Sequence, residues 1–415
     1  MYRTTLAFSA AALGILLGVG ACHNDELISP AIPRYAGGEM FQRYVSFGNS
    51  ITAGIQSGGL SDSLQRLAYP VLLARAMGGT RFRYPSLNNP GCPTPITVIF
   101  TNPPTRLGNL PEAFCALRGA AQPYLSNVAF PGADVLETLN SDYHTPQPPA
   151  SATDAYKLFL LGGRTELQRA REVQPTFVTV WLGNNDVLGA ILDTGDAGQA
   201  ADITPPATFT TEFGAFMDSL DTFGSIQGGV LIGVVQVTGA PYVSTGRAYF
   251  AASAAIPTLT VDPNCLVGDH IPGGAPADSA FVLVPFHYGA VKVAQAAAGI
   301  PTTLDCSDPH VISVPEAINM ITTVALYNQT IAAAAAARGW AYLDPNPLLR
   351  TLALDPTRIR PFPAFPPSPD AVAAPFGTAL SRDGIHPSTS TQKLIAQVLR
   401  DSINVHYAAA IPAIP

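Results

Sequence analysis

Ser50 stands in the stretch FGNSITAG, Phe47 to Gly54, where an apolar run from Tyr44 gives way to glycine, asparagine and serine. A lone hydroxyl on a glycine-flanked turn can serve as a nucleophile once a base takes its proton. The same residues can simply start a helix, because Ser and Asn are good N-caps and such turns use glycine. The question is therefore where a base would come from. Of the seven histidines, His23, His144, His270, His287, His310 and His406 have no neighbourhood that stands out, and they read as surface or core residues. His386 differs. It lies in SRDGIHPS, Ser381 to Ser388, with Asp383 three residues upstream. Gly384 allows a tight turn, and Pro387 favours an extended His386 and can open a following helix. Such a turn brings a carboxylate to the imidazole, where it would fix the tautomer and stabilise the imidazolium. The alternative is a helix cap at Asp383 beside an incidental histidine.

Acyl chemistry also needs donors for an oxyanion. WLGNNDVLG, Trp181 to Gly189, ends an apolar run with glycine and two asparagines. SNVAFPGADVLETL, Ser126 to Leu139, puts Gly132 just ahead of a helical pattern, where a backbone N–H would be free. Loops of Gly and Asn after strands are common, so neither stretch is specific alone.

The elements that would position these residues alternate. Strands are expected at Tyr44–Phe47, Phe177–Leu182, Val230–Val237 and Ala341–Leu343, each β-branched or aromatic and bounded by Gly, Pro or Asn. Helices are expected at Tyr69–Met77, Asp154–Ala170, Thr208–Phe223, Pro315–Ala337 and Ser388–Tyr407, the second open to a break at Gly162 and Gly163. In the last, Leu394, Ile395, Val398, Leu399 and Ile403 recur at helical spacing. Strands alternating with helices indicate an α/β fold with a parallel sheet covered on both faces. In such sheets ligands sit beyond the carboxyl ends of the strands, which is where Ser50 would lie. Residues 241–314 and the proline-rich stretch 355–376 do not fit the alternation and read as excursions.

Taken in order, FGNSITAG, NVAFPGA, GNND and DGIHP resemble the four sequence blocks of the GDSL/SGNH hydrolases. The matches are Gly48, Ser50 and Ile51; Asn127 and Gly132; Gly183, Asn185 and Asp186; and Asp383 and His386. Asn49 stands where the family usually has aspartate. The resemblance runs over about residues 42–411. It implies a three-layer α/β/α, flavodoxin-like fold around a mainly parallel sheet. It also implies a catalytic triad of Ser50, His386 and Asp383. The N–H groups of Ser50 and Gly132 and the amide of Asn185 would form the oxyanion hole. The implied reaction is hydrolysis of a small-molecule or lipid ester through an acyl-enzyme, with no metal or other cofactor. A carbohydrate deacetylase of the same family and a non-catalytic binding lipoprotein are the alternatives.

The 415 residues are 47% hydrophobic and 12% charged, enough for one large core. A net charge of −7 without any Lys/Arg-rich run argues against nucleic acid as a partner. No Walker A pattern or strand-linked GxGxxG points to a nucleotide. The opening MYRTTLAFSAAALGILLGVGAC is similar to a bacterial lipoprotein signal, with Cys22 as the lipidated residue. The expected layout is a signal peptide over 1–21, a tether over 22–40 and a hydrolase domain over 41–411 that contains the 241–314 insertion. The lipid would anchor the protein in the cell envelope, and His23 after the cysteine favours the outer membrane. No later apolar run is long enough to span a bilayer. Cys92, Cys115, Cys265 and Cys306 remain, and in an exported chain they suggest two disulfides. Three pairings exist, and proximity favours Cys92–Cys115 with Cys265–Cys306.

Overall fold

The computed structural model describes residues 38–414 apart from 117, 120, 140–151, 275–277 and 365–369. Cys22, the expected lipidation site, His23, His144 and nearly all of the expected tether over 22–40 lie outside the described residues.

Four parallel strands build the central sheet: β1 (Tyr44–Gly48), β2 (Phe177–Trp181), β3 (Gly228–Ile232) and β4 (Ala341–Leu343), side by side in that order. Every residue of β1, β2 and β3 is buried, so the run is apolar on both faces rather than alternating with polar residues. Val45, Phe47, Val178, Val180 and Leu231 enter one core. Tyr44, Phe177, Trp181, Val230 and Ile232 enter the other.

The first core is closed by α3 (Glu166–Val173), α4 (Asn185–Leu192), α5 (Pro206–Asp221) and α6 (Val314–Arg338). The second is closed by α2 (Tyr69–Ala76) and α8 (Thr389–Tyr407), the latter through Ile395, Leu399 and Ile403 on one stripe. The result is the three-layer α/β/α arrangement that the sequence predicts. Beyond β1, residues 126–130 run parallel to the sheet edge. Ser46 N–H donates to Ser126 O, Val128 N–H to Ser46 O and Phe130 N–H to Gly48 O. This leads the chain to Gly132 at the carboxyl end of β1.

Two expectations need correction. The helix expected over Asp154–Ala170 is two helices, Ala152–Leu161 and α3, parted at Gly162 and Gly163. The strand expected over Val230–Val237 ends at Ile232. Its apolar residues continue, but the N–H groups of Val234, Val235 and Gln236 donate to the side chains of Asn328, Asn184 and Asn346. Three asparagines thus replace the sheet ladder and turn this segment over the end of the sheet.

Both disulfides have the expected partners, Cys92–Cys115 and Cys265–Cys306. The first staples an excursion with one short antiparallel pair, Ile96–Val98 with Thr105–Arg106. The second lies in the 241–314 insertion, which is more regular than its glycine and proline content suggested. It has three small strand pairs and the helices Gly246–Ser253 and Phe286–Ala297. Tyr249, Leu259, Val282, Val284, Leu304 and Ile312 are buried within it. Among the described residues no helix is long and apolar enough to cross a membrane.

Candidate active site

At Gly48 the chain leaves β1 with φ +155°, and a Cβ there would lie 2.9 Å from the Trp181 carbonyl oxygen. Only glycine fits this sharp exit. Asn49 then caps the short helix α1 (Ser50–Ala53): its Oδ1 accepts the Ile51 N–H at 3.1 Å, and its Nδ2 donates to the Trp181 carbonyl at 3.4 Å. Asparagine in place of aspartate supplies a donor as well as an acceptor, so the turn is tied to β2 without a charge. Helix capping is therefore real here, but Asn49 performs it. The Ser50 hydroxyl is left for other contacts.

That hydroxyl meets His386 Nε2 at 2.9 Å, and His386 Nδ1 meets Asp383 Oδ2 at 2.8 Å. The loop that carries both groups is closed by Ser381 N–H to His386 O and by Gly384 N–H to Ser381 O. A Cβ on Gly384, whose φ is +72°, would press into the Phe376 ring at 2.9 Å. Asp383 is 8% exposed and densely solvated by the protein. Oδ1 accepts from Ser381 Oγ and from the N–H groups of Ile385 and His386, and Oδ2 accepts from Gly58 N–H at 2.6 Å. Burial alone would raise its carboxyl, but the His386 ring and these donors outweigh it and hold it at about 2. An ionised Asp383 fixes the proton on Nδ1, so the Nε2 lone pair faces the serine hydroxyl.

The three residues expected to bind an oxyanion are less tightly gathered. Ser50 and Asn185 line the same cleft as His386. Asn185 opens α4, and its Nδ2 donates to the Ala133 carbonyl at 2.7 Å, leaving its second N–H. Gly132 takes φ +85° in the loop that Asn185 holds. Among the described residues its N–H and that of Ser50 have no hydrogen-bond acceptor. Asp186 accepts the Val135 N–H at 3.2 Å, a second stitch between this loop and α4. Burial, with the Asp134 carboxylate beside it, pushes Asp186 up to about 7.

Sequence reasoning missed Glu166. Fully buried at the start of α3, it accepts the Gly48 N–H at 3.1 Å, directly behind the turn that carries Ser50. Burial raises its carboxyl well above the ordinary value. In sequence it looks like an ordinary first-turn glutamate of a capped helix, so no local signal marked it. Ser57, Gly58 and Ser381 were missed too: the bonds that tie Ser57 to Ser381 and Gly58 to Asp383 span more than 300 residues.

A cleft of about 820 Å³, counted to its open mouth, begins at Ser50 and His386. Its walls are apolar: Leu188 of α4, Val235 and Val237 after β3, Ile395 of α8, and Leu348, Leu349 and Leu352 of α7 (Asn346–Ala353). The apolar runs Phe281–Phe286 and Ile96–Phe100 are not among its lining residues. Val282 and Val284 join the larger core on one face of the sheet instead, and Phe286 packs on Phe362 and Phe376. Of the other histidines, His287 bonds Tyr242 Oη, His310 pairs with Asp308, His270 meets the Asp278 carbonyl and His406 meets the Gly339 carbonyl.

No family model matches the chain, and no curated protein matches it. Among solved structures it is similar to a lipase/acylhydrolase from Enterococcus faecalis, at 13% identity over 89% of this chain and 98% of that one, with a TM-score of 0.36. It is similar to an extracellular lipase from Streptomyces rimosus, at 14% identity over 87% and 99%, with a TM-score of 0.37. It is also similar to a mutant acetyl-xylooligosaccharide esterase from Geobacillus, at 11% identity over 89% and 96%, with a TM-score of 0.38. Overlays this loose leave the functional reading to the chain's own residues.

Proposed function

We propose that this protein is a serine ester hydrolase of the GDSL/SGNH type that acts on carboxylic esters with an apolar acyl chain. One observation carries the reading: the hydrogen-bonded chain Ser50–His386–Asp383 puts Ser50 and His386 in the wall of an apolar cleft. His386 Nε2 takes the Ser50 proton as Oγ attacks the ester carbonyl. The imidazolium is balanced by Asp383. It then returns the proton to the leaving alkoxide, and the acyl group stays on Ser50 until water, activated by the same ring, releases it. The N–H groups of Ser50 and Gly132 and the Asn185 amide are the proposed oxyanion donors; losing one such donor typically costs about 2.7–4 kcal/mol of barrier. Leucines from α7 favour an acyl chain over an acetylated sugar, which would need polar partners for its hydroxyls. The N-terminal reading belongs to the same proposal: a lipid on Cys22 would hold the enzyme at the bacterial envelope, in the outer membrane where the host has two.

Fluorophosphonate labelling followed by peptide mapping tests the nucleophile. Modification of Ser50, lost in Ser50→Ala, is the expected result, and modification of another serine overturns the assignment. A series of p-nitrophenyl esters tests the acyl site: kcat/KM should rise from acetate to medium chains. Leu348→Trp should abolish that rise while acetate turnover stays within about threefold. A preference for acetylated oligosaccharides over every simple ester would favour the deacetylase instead.

A further inference from the structure

The loop after α1 holds Asp383 from behind. Gly58 N–H donates to Asp383 Oδ2 at 2.6 Å. Ser57 N–H donates to Ser381 Oγ at 2.7 Å, and Ser381 Oγ donates to Asp383 Oδ1 at 3.0 Å. Arg382 N–H returns a bond to Ser57 Oγ. Ser57 adopts φ +53°, an uncommon conformation for a residue with a side chain, so the surroundings must hold it there.

Those surroundings are the Cys92–Cys115 excursion. Ile96 N–H donates to Ser57 O at 2.7 Å, Leu60 N–H to Pro93 O, and Cys92 N–H to Leu60 O. The buried Arg106 bridges the carbonyls of Gly58 and Thr94 through Nη1, and its Nη2 pairs with Glu112. The loop Ser57–Leu60 is therefore bonded on one side to the catalytic carboxylate and on the other to a disulfide-stapled segment.

We propose that Ser57, Gly58 and Ser381 are positioning residues for the triad, and that the Cys92–Cys115 excursion is the brace that keeps them in place. The proposal rests on Ser50 and Asp383 having the roles given above. Asp383 must present Oδ2 to His386 Nδ1 while remaining charged. Three donors on Oδ1 and one more on Oδ2 leave it one orientation, and two of these links come from the braced loop through Gly58 and Ser381. A hydrogen bond to a buried charge is the strong kind, so its loss is felt at the group it orients.

The test compares Ser381→Ala in the wild-type and Asp383→Ala backgrounds, with fluorophosphonate labelling of Ser50 as the control on the underlying function. Ser381→Ala should lower kcat roughly tenfold or more with KM little changed. In the Asp383→Ala background the same substitution should cost less than about twofold, because there is no carboxylate left to position. An independent pair, Cys92→Ala with Cys115→Ala, checked for folding by thermal melting, should show the same background dependence and keeps the test open if Ser381→Ala does not fold. Equal losses in both backgrounds, or full kcat in either variant while Ser50 is still labelled, overturn the positioning role. Failure of wild-type protein to label at Ser50 instead overturns the assignment of the nucleophile.

Discussion

The Cys92–Cys115 and Cys265–Cys306 disulfides each close a local loop, joining residues 23 and 41 apart in sequence, yet the excursions they staple meet the Asp383–His386 loop in different ways. The first excursion has little regular structure and reaches Asp383 through a run of directional hydrogen bonds at Ser57, Gly58 and Ser381. The second has its own helices and strand pairs, and its buried residues join the larger hydrophobic core beside the sheet. Among the described residues it touches the Asp383–His386 loop through one backbone bond, Tyr242 N–H to Gly384 O at 3.2 Å, and through rings: Phe286 lies 5.2 Å from Phe376, which packs on Gly384. Hydrogen bonds fix angle as well as distance, so the first contact transmits geometry. Aromatic packing tolerates small shifts, so the second contributes mainly stability. On the positioning role proposed above, similar staples would serve catalysis in one place and folding in the other.

The comparison can be sharpened by experiment. The largest effect should come from the shared target. Asp383→Asn should cut kcat about ten-thousandfold, since the ring loses its fixed tautomer and its counter-charge; steady-state kinetics check this, and near-normal turnover would leave both excursions without a common point of action. Next, replacing Cys265 and Cys306 together by Ser should lower stability by about 4 kcal/mol on the chain-entropy argument, while kcat stays within about twofold in the protein that remains folded. Urea melts and active-site titration separate the two readouts. A large fall in kcat per titrated site would erase the contrast. Phe286→Ala should act the same way, with a loss of about 3–5 kcal/mol because the ring is buried between Phe362 and Phe376.

The smallest effect is in stability against pH. Asp383 titrates lower folded, at about 2, than in an unfolded chain, at about 3.9. Its contribution is therefore complete above about pH 4 and is lost as the pH falls towards 2. Asp186 behaves in the opposite sense. Raised to about 7, it favours the fold most below about pH 4, and that support is lost as the pH rises through 7. Denaturant melts of Asp186→Asn against wild type should show the variant gaining relative stability between pH 5 and 8. Melts of Asp383→Asn should show a shallower acid slope between pH 4 and 2. Slopes identical to wild type would mean that neither carboxyl is held as the geometry indicates.

Much of this was legible locally. The strands Tyr44–Gly48 and Phe177–Trp181 announce themselves as buried β-branched and aromatic runs ended by glycine. The helix Thr389–Tyr407 follows from its apolar spacing, and the Asp383–His386 pair from a three-residue turn that only glycine and proline shape so tightly. What stayed hidden was burial at a distance. Glu166 carries an unremarkable capping-box setting, and nothing near it shows that Gly48 will lie against it. Nor does any stretch of sequence show that the leucines of Asn346–Ala353 line the cleft beside Ser50 while the equally apolar Phe281–Phe286 does not, because apolarity alone does not say which surface a segment joins.

The sequence by itself determined the alternation of strands and helices, through local periodicity, and favoured the disulfide partners, through loop closure between near neighbours; it marked Ser50, Asp383 and His386 as a trio through the resemblance of its four ordered blocks to the GDSL/SGNH hydrolases. Only the tertiary structure decided that Ser50 Oγ stands 2.9 Å from His386 Nε2 across 336 residues of chain, and that Asp383 is gripped by Gly58. Contacts of that range depend on how two finished layers pack, and packing is fixed by the summed fit of many side chains rather than by any stretch of sequence.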